Sequence, residues 1–268
     1  MISVICVYND KKILEDWLLL TLRRQNIEYE EILIDNTQNT FTSAAEALNY
    51  GGEMARGDFL MFVHQDVRLE TNDWLENAEA WLKKIEHFGV AGVAGKAVEG
   101  RNQRQRGRNI IQHGDPPEVS RWSNPISRPA EVQTVDELLF IVPRSIIDYH
   151  KFDETTCDGW HLYAVDFCLT VQRAGLKCYV LPLSVWHRSR GNVGTPVQAV
   201  LNFGIFPNEY YKTLKKVLTK YKKDYCWIYT TCGAWSTRQP LIFQRVGSLC
   251  YGCFYYLGRV IGLVLKVR

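Results

Sequence analysis

The sequence predicts an α/β domain with a mixed, mostly parallel central sheet, followed by a helical C-terminal extension. Apolar runs at residues 2–8, 31–34 and 59–63 lie between polar neighbours, the pattern of strands buried on both faces. Helical periodicity over 14–22 and 43–54 separates them, giving the β-α-β-α-β alternation of parallel strands joined by crossover helices. The runs also end on polar or acidic tips: Asn9 and Asp10, Asp35 and Asn36, and Asp66. Ligands of open α/β sheets bind at the carboxyl edge of the strands. Asp66 therefore stands where a carboxylate holds a metal, although a lone acid in a loop also serves as a turn or helix cap.

Taken in order, the first run is a strand, and Asp10 after it either caps the helix that follows or faces a ligand. Asp58 follows Gly57 just before the 59–63 strand. Residues 99–128 carry Arg101, Arg104, Arg106 and Arg108 and then several prolines, which reads as a long loop poor in core residues. Such a loop is either a solvated excursion or a functional flap. Buried runs return at 138–142 and after Leu181, the latter ending on His187.

From 208 to 225 the chain places Lys212, Lys215, Lys216, Lys220, Lys222 and Lys223 around Leu214, Val217, Leu218 and Tyr221, a basic amphipathic helix. Residues 246–265 are largely apolar, with Arg259 in their midst. That length spans a bilayer, but a central Arg costs at least ~2.5 kcal/mol on insertion scales. A helix lying in the membrane interface tolerates it better, and an ordinary packed helix is the competing reading. The expected division is a domain over 1–198 and an extension over 199–268.

Composition agrees with an enzyme domain plus an appendage: 268 residues, 46% hydrophobic and 23% charged, enough to bury a full core. A net charge of +3 gives no argument for nucleic acid as a partner. The eight cysteines show no zinc spacing and sit mostly in apolar stretches, as reduced core thiols do. Cys250 and Cys253 form a Cys-x-x-Cys, but in an apolar helical context where packing outranks redox chemistry. The chain opens directly on a strand without a cationic leader, so a cytoplasmic location is expected, either free or peripheral at the inner face of a membrane.

The blocks SVICVYND, EILIDNT, ARGDFLMFVHQDV, VDELLFIVPRS and GWHLYAVDFCLTVQRAGLKCYVLP occur in an order and spacing that resembles the family 2 glycosyltransferases with the GT-A fold. The likeness covers two thirds to three quarters of the chain. It is nearest to the branch resembling streptomycin-biosynthesis glycosyltransferase-like proteins, in which His-Gln-Asp replaces the usual Asp-x-Asp. The resemblance implies inverting transfer of a sugar from a nucleotide-sugar donor to a saccharide or lipid-linked acceptor, in glycan or polysaccharide synthesis.

Such a transfer needs a nucleotide pocket, charge compensation for the leaving diphosphate and a base. For the nucleotide, the Asp35 carboxylate at a strand end accepts hydrogen bonds from a base or ribose; the resemblance adds the backbone of Val7, Tyr8 and Asn9 as the pocket floor, and Asp58. A divalent ion, Mn²⁺ or Mg²⁺, is expected on Asp66. His64 takes the place of the first acid of the usual pair, and His187 is the further ligand, with Arg188 and Arg190 beside it for phosphate oxygens. The base is expected within residues 158–169. There the family's Glu-Asp pair falls on Tyr163 and Ala164, leaving Asp166 as the first choice, His161 as the second and Asp158 as the third. Trp160 would stack on an acceptor sugar or pack in the core. Asp136 and Glu137 match a block that lines the acceptor side.

Two other classes stay open. A nucleotidyltransferase would carry a Gly-rich phosphate loop near the first strand, and none follows SVICVYND. A non-catalytic sugar-nucleotide-binding or scaffold protein is suggested by the missing acidic pair.

Overall fold

A computed structural model describes residues 1–119, 123–189 and 204–249. Strands β1 (Ile2–Tyr8), β2 (Tyr29–Asp35) and β3 (Phe59–Val63) are parallel neighbours, with β1 between the other two. β4 (Val67–Leu69) follows β3 after a short turn, and β5 (Phe88–Gly92) returns to the main sheet. The seven-stranded sheet runs Ala130–Val132, Lys177–Val180, β5, Leu139–Pro143, β3, β1, β2. Leu139–Pro143 is antiparallel to both β3 and β5, and Ala130–Val132 is antiparallel to Lys177–Val180. The sheet is therefore mixed with a parallel majority, as expected.

Alternation along β1 feeds both faces of this sheet. Ile2, Val4 and Cys6 enter one core cluster with Leu18 and Trp74, whereas Ile5 enters the other with Ala45 and Phe167. Helix Ala44–Met54 begins where Ser43 accepts the amide of Glu46, and it lies so close to the sheet that a Cβ on Gly51 would come within 2.6 Å of Ile5. The first helical segment departs from regular geometry. Asp10 caps Lys11–Leu14 by accepting from Ile13, but Glu15–Leu19 forms a π turn before Leu20–Leu22 resumes the α-helix. That turn buries Trp17, and π turns recur at functional sites.

Residues 99–128 are not a plain loop. Among the described residues they hold helix Gln103–Arg106 and the short strands Gly107–Arg108, Gln112–His113 and Glu118–Val119. Gln112–His113 joins a small sheet with Val185–His187 and β4, in the order β4, Val185–His187, Gln112–His113, Glu118–Val119. Its register sets His187 opposite Val67 on one side and His113 on the other.

Helix Asn208–Lys220 is amphipathic as expected, but Tyr210, Tyr211, Leu214, Val217 and Leu218 form its buried face, packed with Leu162, which precedes helix Tyr163–Arg173, and with Val165 and Leu169 within it. The helix ends at Lys220, short of the expected Tyr225, and the residues beyond turn into a hairpin, Trp227–Thr230 with Gly233–Ser236, inside the extension expected to be helical. Residues 241–249 are helical again. Cys250, Cys253, Arg190 and most of the apolar 246–265 run lie outside the described residues, as does the expected boundary at 198. Among the described residues no helix is long and apolar enough to cross a membrane.

Candidate functional site

The carboxyl edge of β1, β2 and β3 gathers most of the expected nucleotide and metal residues. Gln65, which the sequence reading passed over, ties two of these strand tips together. Its Oε1 accepts the amides of Asn9 and Asp10 at 3.0 Å each, and its Nε2 donates to Asn9 Oδ1 at 2.6 Å. Tyr8 and Asp35 are register partners across β1 and β2, and Asp35 accepts the Thr37 amide at 2.8 Å. That amide and the Thr37 hydroxyl lower the Asp35 carboxyl below its ordinary range. Val7 precedes them on β1, half-buried.

His64, Asp66 and His187 offer ligand atoms that all lie within 4.8 Å of one another. His187 Nε2 is 3.3 Å from Asp66 Oδ1, and the His64 and His187 rings are 5.7 Å apart. Burial alone would raise the Asp66 carboxyl, but the hydrogen bond and charge of His187, with His64 beside it, hold it down at about 2. Burial, then the nearby His187, push His64 down to about 4. At neutral pH the cluster thus offers an ionised carboxylate and an uncharged His64 ring, the protonation states that metal ligation requires. A carboxylate with two imidazoles is a complete donor set for a divalent ion that keeps further positions for water or phosphate.

Several neighbours hold this cluster in shape. His64 is fixed by its backbone, which donates to the Leu138 carbonyl at 2.9 Å, and by its Nε2, 2.9 Å from the Tyr163 hydroxyl. His113 stands behind His187, with ring centroids 5.7 Å apart. The Arg188 amide donates to the Asp66 carbonyl at 3.0 Å. The Arg188 side chain lines a groove of about 240 Å³ with Asp10, Lys12, Asp16 and Trp17. Arg68 lies over Trp17, which lines that groove, at 4.3 Å and over Trp186 at 4.9 Å. Gln65, Tyr163 and His113 carried no separate signal in the sequence, because their partners lie far along the chain.

Asp58 requires a correction. It precedes β3, at the opposite end of the strand from Asp66, and binds the N-terminal ammonium at 2.8 Å, so it does not face the nucleotide edge. Asp166 requires another. It is 2% exposed, and both its oxygens accept from Lys220, at 2.9 and 2.8 Å, which locks the carboxylate in a buried ion pair away from an acceptor. Asp158 is exposed and paired with Lys216 at 2.6 Å, remote in role from a buried base. His161 is half-buried against Tyr210, and burial lowers its basicity. Trp160 is exposed beside it, free of the core.

Asp136 and Glu137 lie just ahead of strand Leu139–Pro143, adjoining the cluster. Asp136 Oδ1 accepts the Leu138 amide at 3.1 Å, and its charge reaches both His64 and His113. Glu137 is buried at its carboxyl group, facing the backbone amides of Leu162, Tyr163 and Ala164. Burial and then Asp136 raise its carboxyl well above the ordinary range, outweighing those amides.

Residues 3–233 match the family model described as a glycosyltransferase-like family, a span that includes helix Asn208–Lys220. No curated protein sequence matches the chain. Among solved structures it is similar to GalNAc-T7 with UDP, GalNAc and Mn²⁺, at 14% identity over 81% of this chain and 47% of that one, with a TM-score of 0.54. It is similar also to the mannosyltransferase PcManGT from Pyrobaculum calidifontis in complex with GDP-Man and Mn²⁺, at 12% identity over 100% of this chain and 80% of that one, again with a TM-score of 0.54. A third is S. aureus TarS 1-349 in complex with UDP, at 16% identity, 83% and 65% coverage and a TM-score of 0.50. The chain spans less than half the length of the first of these. The architecture they share with it is the GT-A fold.

Proposed function

The chain belongs to the glycosyltransferase-like family matched over residues 3–233, and from that premise we propose that it transfers a sugar from a nucleoside-diphosphate donor to a hydroxyl acceptor. The observation that carries this reading is the His64, Asp66 and His187 cluster at the same sheet edge as Tyr8 and Asp35. Base and ribose would rest on Val7, Tyr8, Asn9 and Asp35, and the diphosphate would lie toward the cluster with Arg188 beside it. When bound, a divalent ion there supplies counter-charge for the leaving diphosphate. The two imidazoles favour Mn²⁺ over Mg²⁺, which prefers oxygen ligands. GalNAc-T7 and PcManGT, both solved with Mn²⁺ and a nucleotide, support the same choice.

Finer parts of the reading rest on residues and resemblance. His-Gln-Asp at 64–66 supports the streptomycin-type branch, and in-line attack at the anomeric carbon gives inversion. The acceptor would be a saccharide or a lipid-linked glycan of polysaccharide synthesis, entering past Asp136, Glu137 and Trp160. We assign catalysis to a GT-A domain over 1–198 and an anchoring role to 199–268. The free state of every described cysteine supports a cytoplasmic site of action. An anionic membrane surface is the partner we assign to the extension, where exposed Ile242, Phe243 and Val246 neighbour Lys212, Lys215 and Arg245.

Calorimetry of UDP and GDP with and without Mn²⁺ tests the donor reading. Wild-type protein should bind one of them only with the metal, and Asp66→Ala should lose that metal-dependent binding while keeping its fold. Equal affinity with and without Mn²⁺ would overturn it. A scaffold protein, the second reading, would bind the nucleotide sugar without ever releasing the nucleotide.

A further inference from the structure

Resting on that donor reading, we infer that Gln65 is a positioning residue that couples the metal cluster to the nucleotide floor, so that restraint imposed on the one is passed to the other. It stands in sequence between two of the cluster residues, His64 and Asp66. The segment is a β-turn closed by the Val67 amide, which donates to the His64 carbonyl at 3.3 Å, with Gln65 and Asp66 at its centre. One tight turn thus presents two metal-ligating side chains and, between them, a carboxamide that reaches across to β1.

What it reaches is the end of β1, where the sheet no longer supplies partners on that side. Parallel pairing of β1 with β3 ends at Ile5 and Phe62, and beyond it the His64 amide turns away to the Leu138 carbonyl. Pairing with β2 continues to Tyr8 and Asp35, and the Tyr8 carbonyl accepts from the Asn36 amide at 2.8 Å. The tip of β1 is therefore held by β2 on one side and has lost β3 on the other. Gln65 stands in for the missing strand: Oε1 accepts the amides of Asn9 and Asp10, and Nε2 donates to Asn9 Oδ1. Backbone amides need a partner in the protein or in water, and here the metal turn supplies it.

These bonds single out glutamine. One group must accept twice and donate once, which a carboxamide does and an ionised carboxylate does not, having no donor for Asn9 Oδ1. Both lone pairs of Oε1 are engaged by amides, so Gln65 is not a further ligand of the cluster. Asp10 is committed in turn, because its side chain caps Lys11–Leu14 by accepting from Ile13 at 3.0 Å. The clamp therefore fixes the strand tip together with the start of the helix behind it.

With one ion held by His64 and Asp66, both flanks of Gln65 are fixed, and its carboxamide carries that restraint to Asn9, beside Tyr8. A base or ribose resting there meets a backbone already in place, which lowers the ordering cost of binding.

The test uses the full chain and follows binding of Mn²⁺, UDP and GDP by calorimetry, together with uridine or guanosine, whichever matches the nucleotide bound. A nucleoside has no phosphate to meet a metal, so any effect of Mn²⁺ on its affinity passes through the protein. In wild type Mn²⁺ should tighten the nucleoside by about fivefold, the lower end of couplings between sites. Gln65→Met keeps the length of the side chain and removes its polar group. This variant should bind Mn²⁺ alone as wild type does, because His64, Asp66 and His187 are untouched, yet lose the effect of Mn²⁺ on the nucleoside. With Mn²⁺ present it should bind the nucleotide about tenfold more weakly, the worth of one hydrogen bond. Its thermal midpoint without ligands should change little, since Asn9 and Asp10 are exposed and their amides pass to water.

A wild-type chain whose nucleoside affinity ignores Mn²⁺ overturns the coupling, and so does a Gln65→Met chain that keeps the effect. A parallel loss of Mn²⁺ affinity or of thermal stability overturns it too, because Gln65 would then be a prop of the turn itself. Wild-type protein that binds neither nucleotide overturns the donor reading and the coupling with it, whereas nucleotide affinity that is metal-dependent in wild type and unchanged in Gln65→Met overturns the coupling alone.

Discussion

Tyr163 and His64 meet with 2.9 Å between the phenol oxygen and Nε2, joining the first turn of a helix to the tip of β3 across 99 residues of sequence. A Tyr163 hydroxyl that donates to the Glu137 carbonyl accepts from His64 Nε2–H, so the lone pair of the ring rests on Nδ1. The phenol thereby sets the tautomer and orientation of a metal ligand. Partners of this type affect metal affinity by about 10- to 100-fold. Tyr163→Phe should therefore weaken Mn²⁺ binding by about tenfold in calorimetry without nucleotide, while the thermal midpoint of the metal-free protein changes little. Affinity equal to wild type would show that backbone contacts alone hold His64.

Asp166 and Lys220 join two helices rather than serve chemistry. Asp153 also accepts from Lys220 at 2.8 Å, and Tyr221 donates to the Asp166 carbonyl at 2.8 Å, so the pair sits within a satisfied polar network. Removing one partner of a buried pair costs about 3–5 kcal/mol, and the partial exposure of Lys220 places the effect near the lower end. Lys220→Met should lower unfolding free energy by about 3 kcal/mol in urea and leave metal-dependent nucleotide binding intact. A loss of binding at unchanged stability would return Asp166 to the active site.

Glu30 gives a prediction about acid. Burial alone would raise its carboxyl, but the Ser3 hydroxyl, then the Arg56 amide and guanidinium, hold it down at about 2. Its folded value lies below the unfolded value, so the native state is favoured while the group is ionised. The contribution is complete above the ordinary carboxylate range and is lost as pH falls from there toward about 2. Glu30→Gln should therefore be less stable than wild type at pH 7, with the gap between the two closing toward pH 2 in urea melts. A gap of constant size would assign the effect to packing.

What the sequence disclosed and what it hid divide along physical lines. β1 and β3 agree with their apolar runs because a strand buried on both faces needs no partner to be recognised. Ser43 and Asp10 cap helices through local bonds of three residues. Asp66 and His187 were legible because each ends an apolar run at a sheet edge. Gln112–His113 was not, since a two-residue strand has no periodicity, and the expected loop hid His113 beside His187. The misplacement of Asp166 has the same origin. A helix acid looks alike in sequence whether it faces substrate or a lysine 54 residues onward. Asp58 was misread because the resemblance outweighed its place before β3, at the amino end of the strand, where it pairs with the Met1 ammonium.

The extension offers a prediction about location. Phe243 is 69% exposed and Ile242 52%, on the helical residues 241–249, with Val246 one turn further on. Large apolar side chains so placed leave much of their surface open to solvent, while Lys212, Lys215 and Arg245 line a neighbouring groove. Basic residues near an anionic lipid surface contribute about 1 kcal/mol each, and apolar burial in the headgroup region adds to them. The full chain should therefore co-sediment with vesicles containing phosphatidylglycerol and be released as salt rises, because the lysine contribution is screened. Lys212→Glu with Lys215→Glu should abolish sedimentation at low salt, and Ile242→Ser with Phe243→Ser should abolish whatever binding survives high salt. Nucleotide binding should be equal in all these variants, since the residues changed lie on the extension rather than at the sheet edge. Sedimentation unaffected by either pair would mean that another surface meets the membrane, and none by the wild-type chain would leave this face for a protein partner.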